Sequence, residues 1–126
     1  MERVCWVTPI LPGKVEAAHT FYAEMEGPRR HDLELAEQRL GITKEVVFLT
    51  ELANGPALVF YMESDSLDTS VSTSAASNHE FDLWYKRGLE EITGVDLNNP
   101  PPKALLLSAY AAARSPTGSE PASAGQ

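Results

Sequence analysis

Residues 57–62, Ala-Leu-Val-Phe-Tyr-Met, leave no water-facing side of any strand they form. Successive strand side chains point to opposite faces, so Leu58, Phe60 and Met62 take one face and Val59 and Tyr61 the other. The run before it behaves the same way, with Val46 and Phe48 against Val47 and Leu49. Near the start of the chain, Val4 and Trp6 oppose Cys5 and Val7. A strand with one solvated face alternates apolar and polar residues, and these three do not. Their sheet therefore needs cover on both sides. Between residues 44–52 and 57–62 lies Ala53-Asn54-Gly55-Pro56, and Asn-Gly is a strong short hairpin signal.

The remaining elements follow from spacing. The 126 residues suit one domain, which buries roughly two-thirds of its unfolded surface without staples. Residues 3–9 read as a strand ended by Pro9, and Leu11-Pro12-Gly13 as a turn. Val15, Ala18, Phe21/Tyr22 and Met25 then fall on one helical stripe, which Gly27-Pro28 breaks. Leu33, Ala36 and Leu40 define a second helical piece stopped by Gly41. Residues 64–78 are rich in Ser and Thr, but Leu67, Val71 and Ala75 keep helical spacing, predicting a weak helix or lid with Asp65 as cap. Ser77 and Glu80 fit a capping box, opening a helix with Phe81, Trp84/Tyr85, Gly88 and Ile92 inward and Gly94 at its end.

Asn98-Asn99-Pro100-Pro101-Pro102 is a stiff connector, residues 103–110 read as a last strand, and residues 114–126 as a disordered tail to a domain spanning 1–113. The order β-α-β-β-α-β is the ferredoxin-like α+β arrangement, a four-stranded antiparallel sheet with helices on one face. The second face is expected to be covered by another copy in a two-fold homodimer.

Ten Lys and Arg against 18 Asp and Glu give a net charge of −8, which disfavours nucleic acid and anionic membranes as partners. No apolar run is long enough to span a bilayer, and the first residues lack a signal-peptide pattern, so a cytoplasmic location is expected. The single cysteine, Cys5, and the scattered His19, His31 and His79 offer no metal-binding spacing. Dinucleotide, P-loop, nucleophile-elbow and zincin motifs are absent, so no cofactor is expected.

The element order, the two-sided sheet and Pro12-Gly13-Lys14 at the start of the first helix resemble the dimeric α/β-barrel superfamily over residues 3–110. That superfamily includes antibiotic-biosynthesis monooxygenases, aromatic polyketide cyclases and small dehydratases and isomerases. Tyr61-Met62-Glu63 and the stretch Ser77-Asn78-His79-Glu80-Phe81-Asp82 resemble a small uncharacterised branch of it. The resemblance implies a site in the cleft between helices and sheet of each protomer.

Several residues qualify for chemistry in such a cleft. His79 and Asp82 lie three apart on one helix, as a base and its orienting carboxylate would, or as a surface His beside a first-turn Asp. Arg29 shares a stripe with Leu33 and needs a partner there, either a substrate anion or a carboxylate such as Glu51, unless it reaches out past the helix end. Glu51, among apolar neighbours, is a candidate acid or base or simply faces outward at the turn. Tyr61 and Tyr110 are candidate oxyanion donors or rim residues, and His19 flanks the first helical stripe beside Tyr22. Trp6, Tyr22, Phe60, Trp84 and Tyr110 would form an aromatic pocket wall, or plain core.

These features suggest a cofactor-free enzyme of secondary metabolism acting on a hydrophobic, oxygenated, polyketide-like molecule. The reaction would be acid–base cyclisation, isomerisation or dehydration. A cofactor-independent monooxygenase of the same fold and a non-catalytic ligand-binding dimer are the alternatives.

Overall fold

The computed structural model describes residues 1–102 and 104–110. The elements are β1 (Glu2–Pro9), α1 (Val15–Glu26), α2 (Arg30–Leu40), β2 (Ile42–Leu52), β3 (Gly55–Ser64), α3 (Leu67–Ala76) and α4 (Glu80–Thr93). β3 lies between β1 and β2 and is antiparallel to both. The hairpin forms with Leu52 opposite Gly55.

Register sorts the strand residues into two faces. Trp6 opposes Phe60, Val47 opposes Phe60 from the other side, and Glu45 opposes Met62. These residues face the helices. The core on that side combines Ala18, Phe21 and Met25 of α1 and Ala36 of α2 with Leu58 and Phe60 of β3 and Phe81, Leu89 and Ile92 of α4. The opposite face carries Cys5, Val7, Val46, Phe48, Val59 and Tyr61. Among the described residues no helix covers it: Val7 is 55% exposed and Phe48 57%.

α1 and α4 approach closely at Gly88. A Cβ there would stand 2.2 Å from Cε1 of Phe21, so only glycine admits the ring. Phe21 in turn lies 4.7 Å from Trp84 and 5.6 Å from Tyr85, centroid to centroid.

The Ser-rich segment does form a helix, and its hydroxyls explain how. Ser66, rather than Asp65, caps α3, its Oγ accepting from the Thr69 amide at 3.3 Å. Ser70 is buried, shares a 2.6 Å hydrogen bond with Ser64, and donates at 2.5 Å to the Leu40 carbonyl at the end of α2. Small hydroxyls here satisfy an orphan helix-end carbonyl while letting α3 sit close to α2 and β3.

The start of α4 differs from the expected capping box. His79 occupies the cap position without a side-chain bond, and the helix begins at Glu80. The Ser77 hydroxyl instead donates to Asp82 at 2.5 Å and accepts from the His79 amide. Lys86, only 7% exposed, donates to the carbonyls of Ser74, Ala75 and Ser77 and to Oδ1 of Asn98. It thereby holds the C-terminal end of α3, whose unpaired carbonyls favour a cation.

The sheet has three strands among the described residues, not the expected four. Residues 104–110 form no strand, and Leu105, Leu106, Leu107 and Tyr110 are exposed. Apolar content does not make a strand without a partner ladder and a surface beneath its side chains. Pro100 and Pro101 line a hollow together with Trp6, and among the described residues no strand pairs with the outer edge of β1. The tail assigned to 114–126 lies outside the described residues. No helix is long and apolar enough to cross a membrane among the described residues.

Candidate functional site

Two hollows flank a pair of carboxyl groups on the helix side of the sheet. The first, about 130 Å³, is apolar and lies between the sheet and α2, α3 and α4; its walls include Trp6, Leu33, Phe60, Met62, Val71 and Phe81. The second, about 490 Å³, is a groove beside α1 that includes His19, Tyr22, Val47 and Leu58. Glu37, Glu45 and Tyr85 line both.

Local structure places these groups. Glu45 shares a strand face with Val47 and Leu49, so its carboxyl points under the helices. Glu37 stands four residues after Leu33 on α2 and meets it on the same face. Tyr85 comes from α4 and Tyr22 from α1. Burial pushes the Glu45 carboxyl well above its ordinary range, and the neighbouring Glu37 carboxyl pushes it further by hydrogen bonding and charge repulsion. The Tyr85 and Tyr22 phenols are likewise raised, chiefly by burial, and each feels the other and Glu45. Glu45 therefore holds its proton to higher pH than an ordinary glutamate, and the two phenols hold theirs beyond the usual tyrosine range.

This arrangement makes stability depend on pH. An unfolded glutamate ionises near pH 4.3, and the folded Glu45 later. Between those values the unfolded chain binds fewer protons, so Glu45 lowers stability as pH rises, by at most about 1.4 kcal/mol per pH unit. Urea denaturation should show Glu45→Gln gaining on the natural protein from pH 5 upward. A stability difference that stays constant with pH would contradict the assignment.

The residues singled out from sequence divide into three groups. Trp6 and Phe60 line the apolar cavity, and His19 and Tyr22 the groove. Asp82 reaches the cavity wall, but Arg39 at 2.9 Å and Ser77 at 2.5 Å engage its two oxygens, and it forms no pair with His79. The others stand elsewhere. His79 is exposed at the start of α4, and Glu51 is exposed near the hairpin. Arg29 bonds to Asp32 at 3.0 Å and to Glu80, and lies 4.9 and 4.7 Å over the rings of Phe81 and Trp84. The carboxylates of Glu80 and Asp32 raise its pKa, so its charge is already answered within the protein rather than by Glu51. Trp84 belongs to that stack. Tyr61 lies on the bare face and donates to Glu63 at 2.5 Å, which raises its pKa. Tyr110 is 89% exposed.

Glu37 and Glu45 were not singled out from sequence, and Tyr85 was read only as an inward residue of its helix. Glu45 was detectable as one of two charges, with Glu51, on the Val47/Leu49 face of β2, and Glu37 as a charge on the Leu33 stripe. No three His, Cys, Asp or Glu side chains converge as metal ligands among the described residues. Comparison with family models, curated proteins and solved structures finds no match to the chain.

Proposed function

We propose that the chain is a cofactor-free acid–base enzyme that shifts protons next to a carbonyl in a hydrophobic, oxygenated small molecule. The observation that carries this reading is the Glu37–Glu45 pair at the wall of an apolar cavity. A carboxyl that holds its proton above the ordinary range, beside a second carboxyl, offers an acid and a base at one site. Glu37 removes the proton α to the carbonyl, and Glu45 gives its proton to the carbonyl oxygen, forming an enol. In an isomerisation the enol O–H returns its proton to Glu45 while Glu37 delivers its own to the γ carbon. Substrate bonds shift, and the pair ends as it began. The same first step serves a cyclisation or a dehydration.

Conversion of a β,γ-unsaturated cyclohexenone to its conjugated isomer tests this. The protein should accelerate it, and Glu45→Gln should slow it. A rate no faster than buffer would refute the reading. Oxygen consumption during turnover would redirect it to the monooxygenase alternative.

The architecture proposed with this function is a ferredoxin-like protomer paired face to face with a second copy. The bare sheet face, with Cys5, Val7, Val46, Phe48, Val59 and Tyr61, supports the pairing, because exposed apolar surfaces of this kind mark interfaces. The open edge of β1 and the exposed leucines of residues 104–110 support that segment as the fourth strand of the assembled form. Sedimentation should give a dimer at micromolar concentration, and Phe48→Asp a monomer. A monomeric natural protein would contradict this assembly.

A further inference from the structure

We infer, resting on the proposed acid–base site, that the apolar cavity takes an uncharged carbonyl compound of a single ring and turns away the corresponding carboxylate. Size is the first argument. A cavity of about 130 Å³ is close to the volume of an engineered cavity that holds benzene, so its apolar walls match one six-membered ring.

Charge is the second. No Lys, Arg or His lines this cavity among the described residues; its titratable lining is Glu37, Glu45, Asp82 and Tyr85. Arg39 is paired with Asp82, and Arg29 with Asp32 and Glu80. Arg30, beside the larger groove, pairs with Glu26 and Glu34. A ligand carboxylate entering the apolar cavity would lose its hydration, gain no cation, and meet only the carboxyl groups of Glu37, Glu45 and Asp82.

Hydrogen-bond capacity is the third. The Glu45 carboxylic acid and the Tyr85 phenol are donors at the junction of the two hollows, and a carbonyl oxygen is the acceptor they suit. The Trp6 indole belongs to the same wall, and its Nε1–H is shielded from water without an acceptor. A neutral ketone brings an oxygen to this wall without bringing charge.

Calorimetric titration of the full-length protein at pH 7 with cyclohexanone, cyclohexanecarboxylate and cyclohexylammonium provides the test. The ketone should bind at least tenfold more tightly than either ion, and Val71→Phe, which fills the cavity from α3, should abolish that binding while circular dichroism stays unchanged. Should Val71→Phe unfold, Met62→Trp fills the same space from β3 and takes its place. Equal or tighter binding of the carboxylate or the ammonium, or no ketone binding, would overturn the inference. Selective ketone binding without isomerisation of the cyclohexenone would overturn the acid–base reading alone. Isomerisation of fused polycyclic enones in preference to the single ring would leave that reading standing and overturn this one.

Discussion

Glu37→Gln should slow isomerisation of the β,γ-unsaturated cyclohexenone by a factor of roughly 10²–10⁴, the usual contribution of a positioned general base. Glutamine keeps the size of the side chain and a carbonyl that can accept a hydrogen bond from Glu45, so the fold should survive. What disappears is the basic oxygen. The same variant relieves Glu45 of a like charge, so the Glu45 carboxyl should titrate closer to its ordinary range. Glu24→Gln, on the exposed side of α1, provides the comparison and should leave the rate alone. A Glu37→Gln rate within threefold of the natural protein would remove Glu37 from the mechanism.

The sequence reveals the frame better than the site. The hairpin around Asn54-Gly55 could be read because turn chemistry is local, and α1 because Ala18, Phe21 and Met25 recur at helical spacing and are the residues buried. The two-sided strands announced a bare face, and Val7 and Phe48 show it. Residues 104–110 stand outside the described sheet for a physical reason: strand formation depends on a neighbour, and a leucine run says nothing about which edge is available to it.

The site was harder because it is tertiary. His79 and Asp82 are close along the helix, but Asp82 meets Arg39, 43 residues away in sequence. Arg29 and Glu80 are separated by 51 residues. Glu37 and Glu45 come together only once α2 lies across β2, and no spacing rule encodes that crossing. Each charge on an apolar face could be seen from sequence as needing an explanation, but which partner supplied it could not.

Asp82→Ala should destabilise the protein by about 3 kcal/mol, near the lower end of the usual range for removing one partner of a buried ion pair. Asp82 is 4% exposed, and its carboxylate joins three elements: Arg39 of α2, the Ser77 hydroxyl before α4, and the first turn of α4 itself. Its negative charge also sits favourably at the helix N-terminus. Arg39 is 31% exposed and can turn to water, which keeps the loss from being larger. The Ser77 hydroxyl cannot escape as easily, and the link between α3 and α4 should loosen with it. Urea denaturation at pH 7 measures the cost. Asp82→Asn, which keeps one acceptor oxygen, should fall between the two. A loss below 1 kcal/mol for the alanine variant would show that the Arg39 contact is incidental.

The proposed chemistry rests on a carboxylic acid that keeps its proton where glutamates ordinarily do not. Carbon-13 NMR of the side-chain carboxyls, assigned by comparison with Glu45→Gln, follows that proton directly. The Glu45 resonance should titrate well above the ordinary glutamate range, and its titration should shift downward in Glu37→Gln. A Glu45 resonance that completes its titration by pH 5 would contradict that raised proton affinity and the chemistry built on it.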